Sequence, residues 1–275
     1  MTADFDLAAY LGRIGLREAP KADLEGLTAL HWAQLTAVPF ENIDIALGRG
    51  IQVAPEAIFA KLVTAKRGGY CHECNGLLRQ ALEALGFETR ALSARVLQNQ
   101  EGIPPRSHTL TLVELGEERY LVDAGFGAQT PRRPIPLIPD AKVERGRMAW
   151  QLREDSRFGW RVEALDGSSP VALYAFDLAR VYPIDIAVSN HWTASSPASL
   201  FTQGPLAVRH LEAGRATLVA GKVVRRGNGQ SASYSLPSVT ELLQALREEF
   251  GLDVQANARE LAKLGEALEA SRSRD

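Results

Sequence analysis

Arg67-Gly68-Gly69-Tyr70-Cys71-His72-Glu73-Cys74-Asn75 is the stretch from which the rest of this chain is read, because two glycines stand just ahead of a cysteine that opens a helical pattern. From Cys71 to Leu85 the apolar residues Leu78, Ala81, Leu82 and Leu85 recur at helical spacing, and Gly86 supplies a C-terminal stop. The glycines allow a sharp turn before the helix. A thiol at a helix start feels the positive end of the helix dipole and nearby unpaired N–H groups, both of which favour the thiolate. Cys71 has that placement, whereas Cys74, one turn further in, reads as inert packing.

Upstream, Leu7, Leu11 and Ile14, then Leu24, Leu27 and Leu30, then Ile58, Phe59 and Leu62 behind Pro55 predict three short helices that pack as a bundle. Downstream of Gly86 the period changes to two. Strands are expected at 89–97, 108–115, 119–123, 148–152, 159–165 and 171–178, with more at 206–211, 216–220 and 222–225. Helices close the chain at 239–250 and 258–268. The segment 130–139 holds four prolines, cannot be a central strand, and is expected to link two β regions.

The 275 residues suffice for a substantial core without a metal or disulfide staple. Hydrophobic residues at 45% and charged residues at 23% argue against disorder. Lys plus Arg total 31 against 33 Asp plus Glu, so no overall field draws in nucleic acid or anionic lipid, and an anionic ligand needs a local pocket. The stretch MTADFDLAAYLGRIGL has early acids and no unbroken apolar run, and no segment approaches a membrane span. A cytoplasmic protein is expected, in which two cysteines are more often reactive groups or ligands than a bridge.

A cysteine nucleophile needs a base. Five histidines are available: His31, His72, His108, His191 and His210. His72 adjoins Cys71, but neighbours on a helix point about 100° apart, so it is poorly placed to take the Cys71 proton. His108 opens a strand. The run from His108 to Asp123 reads as a hairpin around Gly116 and Glu117, and an even-numbered loop puts His108 and Asp123 on one face, opposite or one pair off. An acid so placed orients the imidazole and stabilises its charged form, as in Cys-His-Asp triads. His31, His191 and His210 read as hydrogen-bonded structural residues, and Arg67, Glu41 and Glu73 as a buried ion-pair network. Cys71-x-x-Cys74 also fits a redox pair or half a zinc site with His72 and His108, though no second C-x-x-C or H-x-x-x-H completes it.

The nucleophile stretch resembles the R-G-G-x-C-x-E-x-N signature of the arylamine N-acetyltransferases, with Cys71 in the nucleophile position. The family's histidine matches His108, and its aspartate before a Gly-Phe-Gly turn matches Asp123 ahead of Gly125-Phe126-Gly127. Val38-Pro39-Phe40-Glu41-Asn42 resembles a P-F-E-N segment, and 190–201 loosely resembles a later Asn…Pro-x-Ser-x-Phe segment. The chief departure is His72, where an aromatic residue is common in the family.

The resemblance implies an α+β fold with an N-terminal helical bundle, a middle β-barrel, a C-terminal α/β lid and a papain-like cysteine triad. The element order read above agrees with it. The expected division is 1–86 for the bundle with the nucleophile, 87–200 for the barrel with His108 and Asp123, and 201–275 for the lid. It further implies acetyl transfer from acetyl-CoA, without a metal, to an arylamine, hydrazine or hydroxylamine through an acetyl-cysteine. Phe40, Val96 and Phe126 would line the acceptor site, and Gly127 and Phe201 would contact CoA. The rivals are a macrolactam-forming amide synthase of the same fold, a papain- or transglutaminase-type hydrolase, and a non-enzymatic redox or zinc module.

Overall fold

The first helices begin where short acids can cap them. Asp6 accepts from Ala9 N ahead of α1 (Leu7–Ile14), and Asp23 accepts from Gly26 N ahead of α2 (Leu24–Ala37), each satisfying an N–H that a helix start leaves open. The computed structural model describes residues 5–98, 102–165 and 169–273. A two-residue strand β1 (Phe40–Glu41), a short α3 (Ile43–Ala46) and α4 (Pro55–Phe59) lead to α5 (Cys71–Ala84). The π-helical turn 60–64 extends α4. The Leu11, Leu27, Leu30, Leu62, Leu78 and Leu82 side chains meet in one core, which is the expected helical bundle.

Eight antiparallel strands follow in one strongly curled, nearly closed sheet. They are β2 (Glu88–Val96), β3 (His108–Leu115), β4 (Glu118–Val122), β5 (Ile135–Pro136), β6 (Lys142–Arg145), β7 (Met148–Asp155), β8 (Gly159–Ala164) and β9 (Val171–Phe176). The spatial order is β5-β4-β3-β2-β9-β8-β7-β6. Strand β3 is buried on both faces and alternates between two cores: Leu110 and Leu112 point into the barrel with Leu121, Trp150 and Val162, while Val113 joins the helical core with Tyr120 and Val122. The bundle and the barrel therefore share the β3–β4 hairpin as a wall.

The proline-rich segment does not separate two β regions. Its Ile135 and Pro136 pair with β4, and Ile135 and Leu137 enter the same barrel core as the strands on either side. Proline lacks the ladder N–H, and the sheet accommodates it at an edge.

A helix that the period reading did not predict, α6 (Pro183–Ser195), follows the barrel. The C-terminal part is a five-stranded antiparallel sheet in the order β1-β10-β11-β12-β13, from β10 (Ala207–Leu211), β11 (Gly214–Val219), β12 (Lys222–Gly227) and β13 (Gln230–Ser235). Helices α7 (Val239–Phe250) and α8 (Ala258–Arg272) pack on it. Strand β1 lies at its edge, with Phe40 opposite Val208, and Ile43 and Leu47 sit in its core with Leu218 and Leu246. No described helix is long and apolar enough to cross a membrane.

Candidate active site

Gly68 and Gly69, expected to allow a sharp turn, are not at positive φ. They are needed for close approach. Gly69 forms a parallel bridge with Phe40, donating to Pro39 O (3.2 Å) and accepting from Glu41 N (2.9 Å). A Cβ on Gly68 would stand 2.2 Å from Pro39 O, and one on Gly69 would stand 2.7 Å from Cβ of Glu73. The loop before Cys71 is thus held flat against β1.

The expected ion-pair network lies behind this loop. Arg67 meets Glu41 at 2.7 Å and Asp44 at 3.2 Å, while Lys61 stands 2.8 Å from both Asp44 and Glu73. Glu73 also reaches back to accept from Tyr70 N (3.0 Å), one of the open N–H groups at the start of α5. Burial pushes the Glu73 carboxyl up to about 7 against the pull of Lys61.

Cys71 is the first residue of α5, and it is buried. The β3–β4 loop has two residues, Leu115 pairing with Glu118 and Thr111 with Val122, so Asp123 falls one pair off from His108 on the barrel-facing side. The two side chains meet at 2.8 Å between His108 Nε2 and Asp123 Oδ2. That leaves His108 Nδ1 unengaged by Asp123, while the Cys71 thiol donates to Ser107 O at 3.7 Å.

Asn75, four residues after Cys71 and so on the same side of the helix, completes the support. Its Nδ2 donates to Asp123 Oδ1 (3.0 Å) and Thr109 O (2.6 Å), and its Oδ1 accepts from Ala124 N (2.8 Å). Gly125 N also donates to Asp123 Oδ1 (2.8 Å). Asn75 stands within the nucleophile stretch, and its four-residue spacing from Cys71 is the sequence signal for this role.

Electrostatics favours a charged pair. Burial pushes the Cys71 thiol up, but the His72 charge and the hydrogen bonds from His108 and His72 outweigh it and bring the thiol down to about 6. Burial lowers His108, yet the Asp123 carboxylate and the Cys71 sulfur raise it to about 10. The two titrate as a unit, and between those limits the thiolate–imidazolium form prevails. Burial opposes the Asp123 charge, but His108, Asn75 and the Gly125 N–H hold its carboxyl below the usual range.

Cys74 behaves differently. Its Sγ donates to Gly69 O (3.1 Å), and burial followed by the Glu73 and Cys71 charges puts its thiol well above the ordinary value. Both thiols are free. Among the described residues no group of three His, Cys, Asp or Glu could hold a metal ion.

Cys71 and His108 open into a cleft of about 470 Å³. Phe40, Val96, Phe126, Gly127 and Phe201 all line it, whereas Asp123 stands behind His108 and does not. The inner wall is apolar. Phe126 packs edge-on to His108 (5.0 Å between centroids) and against Tyr174 (4.8 Å), and Phe201 packs on Phe40 and Tyr70. The outer wall carries Arg215 and Arg226 from the C-terminal sheet, and no carboxylate appears among the described lining residues. Trp192 of α6 closes one side, a contribution the sequence reading missed along with α6 itself.

The other histidines divide. His31 Nε2 lies 2.8 Å from Asp123 O, and His210 Nε2 lies 2.9 Å from Gly127 O; both are buried, and burial lowers both. They buttress the turn that carries Asp123 and Phe126. His191 is exposed on α6. His72 is buried, with its Nδ1 3.2 Å from Thr109 Oγ1 and its Nε2 3.3 Å from Ser189 Oγ.

A cysteine presented at a helix start, an imidazole turned to it and a carboxylate behind the imidazole define the class of thiol-dependent acyl-transfer sites. The N-acetyltransferase family model matches residues 23–259. An Escherichia coli (strain K12) arylamine N-acetyltransferase is 37% identical over 248 residues, covering 89% of this chain and 88% of that protein. The solved structure of the Salmonella typhimurium arylamine N-acetyltransferase superimposes with a TM-score of 0.89 at 34% identity, covering 96% and 98% of the two chains. That of the Mycobacterium marinum arylamine N-acetyltransferase in complex with CoA gives 0.89 at 28% identity, covering 95% and 99%. The chain belongs to the arylamine N-acetyltransferase family, and it is an acyltransferase.

Proposed function

We propose that this enzyme moves an acetyl group from acetyl-CoA to arylamines, arylhydrazines or N-hydroxyarylamines in two half-reactions, with Cys71 as nucleophile, His108 as proton carrier and Asp123 as its orienting acid. The observation that carries the reading is one cleft with the Cys71–His108 pair at its floor, rings along its inner wall and arginines on its rim.

In the first half-reaction the Cys71 thiolate attacks the thioester carbonyl. The bond from carbon to the CoA sulfur breaks, and the proton on His108 passes to that sulfur. In the second, the amine nitrogen attacks the acetyl-cysteine, the carbon–Sγ bond breaks, and the amine proton returns to His108. Exchange of one thioester for another is nearly isoenergetic, and amide formation drives the second step. Arg215 and Arg226 suit the phosphates of CoA, and Phe40, Val96 and Phe126 suit a flat aromatic acceptor. Gly127 and Phe201, which also line the cleft, are assigned to CoA. Two unbridged thiols fit a reducing compartment, and the cytoplasm is the proposed location.

Intact mass after incubation with acetyl-CoA and no amine tests this reading. One acetyl adduct that maps to Cys71 and is discharged by an arylamine is expected. An adduct discharged by water as fast as by amine points to a hydrolase, and no adduct overturns the proposal.

A further inference from the structure

A second cleft, of about 440 Å³, opens where α5, β2 and the start of α6 meet, and it shares no described lining residue with the cleft of Cys71. Arginines from three separate elements line it: Arg79 of α5, Arg90 of β2 and Arg180 just ahead of α6. Glu83 is the one carboxylate among the described lining residues. Its Oε1 accepts from Thr89 Oγ1 at 3.0 Å and stands 3.5 Å from Arg79 Nε, a loose ion pair. Arg90 donates one N–H to Leu178 O at 2.9 Å, which fixes its guanidinium and leaves the other donors of the fork open. Arg180 is exposed and rests against the Tyr182 ring at 5.3 Å, with no described carboxylate paired to it.

The acids that flank Arg180 in the chain are engaged elsewhere. Asp177 pairs with Arg106, and Asp185 accepts from Tyr182 N at 2.8 Å and lines the neighbouring groove rather than this one. Three positive charges against one negative therefore leave a surplus of two in a concave site whose volume falls within the usual ligand range of about 300–1,000 Å³. Guanidinium forks match phosphate oxygens two at a time. Pro183, the first residue of α6, also lines the cleft, so the positive end of a 13-residue helix lies at the same place. The rest of the wall is apolar, with Ala91, Val181 and Ile186.

We propose that this cleft is a second ligand site, shaped for a phosphate monoester with an apolar body: the phosphate lies among Arg79, Arg90 and Arg180, and the body lies against Val181 and Ile186. A phosphate monoester carries close to two negative charges at neutral pH, which match the surplus. A carboxylate would neutralise half of it and engage a single fork. The bound ester would tie α5, which presents Cys71, to the start of α6, which carries Trp192 into the Cys71 cleft.

Isothermal titration calorimetry of the intact enzyme with phenyl phosphate at low ionic strength tests the site. Because the Cys71 cleft also offers rings and arginines, the titration is made in an Arg215→Gln, Arg226→Gln background, where phenyl phosphate is still expected to bind. Adding Arg79→Gln and Arg180→Gln to that background should weaken binding about tenfold or more, through loss of charge-assisted hydrogen bonds. Benzoate, with the same ring and one charge, and inorganic phosphate, with no ring, should each bind several-fold more weakly than phenyl phosphate. No binding in the background variant, or binding untouched by the added substitutions, overturns the site. Benzoate or inorganic phosphate binding as tightly as phenyl phosphate overturns the ligand class. If the combined variant does not fold, Arg180→Gln alone in the same background decides, since Arg180 is exposed: weaker binding supports the proposal and unchanged binding refutes it. No acetyl transfer is read, so the outcome is independent of the acetyl-adduct experiment.

Discussion

Gly125 touches the backbone of Cys71, the proposed nucleophile: a Cβ added to it would stand 2.8 Å from Cα of Cys71 and 3.1 Å from Nδ2 of Asn75. The turn that carries Asp123 and Phe126 and the helix that carries Cys71 are thus pressed together at a residue with no side chain. Gly125→Ala must push the two apart. Because a displacement of an ångström at a reacting group can cost about a hundredfold in rate, acetyl-adduct formation should fall by that order, while far-UV circular dichroism stays native. An adduct rate within twofold of native would show that the contact yields without moving Cys71.

The thiol at about 6 and the imidazole at about 10 make a pH prediction whose sign is fixed. Cys71 alkylation should stay fast as pH falls to about 6 and drop only below it, whereas an ordinary thiol loses reactivity below about 8.5. Asp123→Asn removes the charge that holds the proton on His108, so the thiolate loses its partner and the midpoint should move upward. Cys74 should remain unlabelled throughout in the native fold. Labelling of Cys74 at the rate of Cys71, or a midpoint in Asp123→Asn equal to native, would contradict the assignment.

Phe126 lines the cleft yet also packs on His108 and Tyr174. Burying an aromatic substrate against it is worth about 1.5–3 kcal/mol, so Phe126→Ala should reduce arylamine turnover about tenfold or more. Cys71 acylation by acetyl-CoA should change less. Single-turnover measurement of both half-reactions checks this, and equal losses would mean that the ring serves chiefly to hold His108.

Arg67 is buried between Glu41 and Asp44. Removing one partner of such a pair leaves a charge stranded in the interior, at a cost of about 3–5 kcal/mol. Arg67→Ala should therefore lower the urea midpoint by that equivalent at neutral pH. A loss below about 1 kcal/mol would indicate that Lys61 compensates by approaching Glu41.

The geometry of the proposed triad was legible in the sequence because both of its relationships are local: Cys71 follows a glycine pair at a helix start, and His108 and Asp123 flank a hairpin with a two-residue loop whose parity puts them on one face. Helix α6 was not. Ile184, Val188 and Trp192 are exposed rather than turned to a core, so its apolar residues trace no buried stripe, and Pro183 at the first helical position was the remaining signal. Strand β13 is exposed at every residue and shows no alternation; the Asn228-Gly229 turn, with both residues at positive φ, marked its hairpin. The reading of Gly68 and Gly69 as a sharp turn missed that β1 runs alongside them, which is a contact between distant segments and leaves no trace in spacing.

Strand β1 is two residues long, yet it is hydrogen-bonded on one side to Gly69 of the nucleophile loop and paired on the other with β10. The amino-terminal and carboxy-terminal portions of the polypeptide are therefore stitched through a single pleat whose bridge partner, Gly69, stands two residues upstream of Cys71. Shortening the molecule ahead of Ala207 would strip Phe40 of its neighbour and leave an open hydrogen-bonding edge facing water where a finished sheet should end. The carboxy-terminal quarter is in this sense part of the scaffold on which the sulfur is aimed, and a shortened enzyme should fail at presenting its sulfur before it fails at recognising its donor.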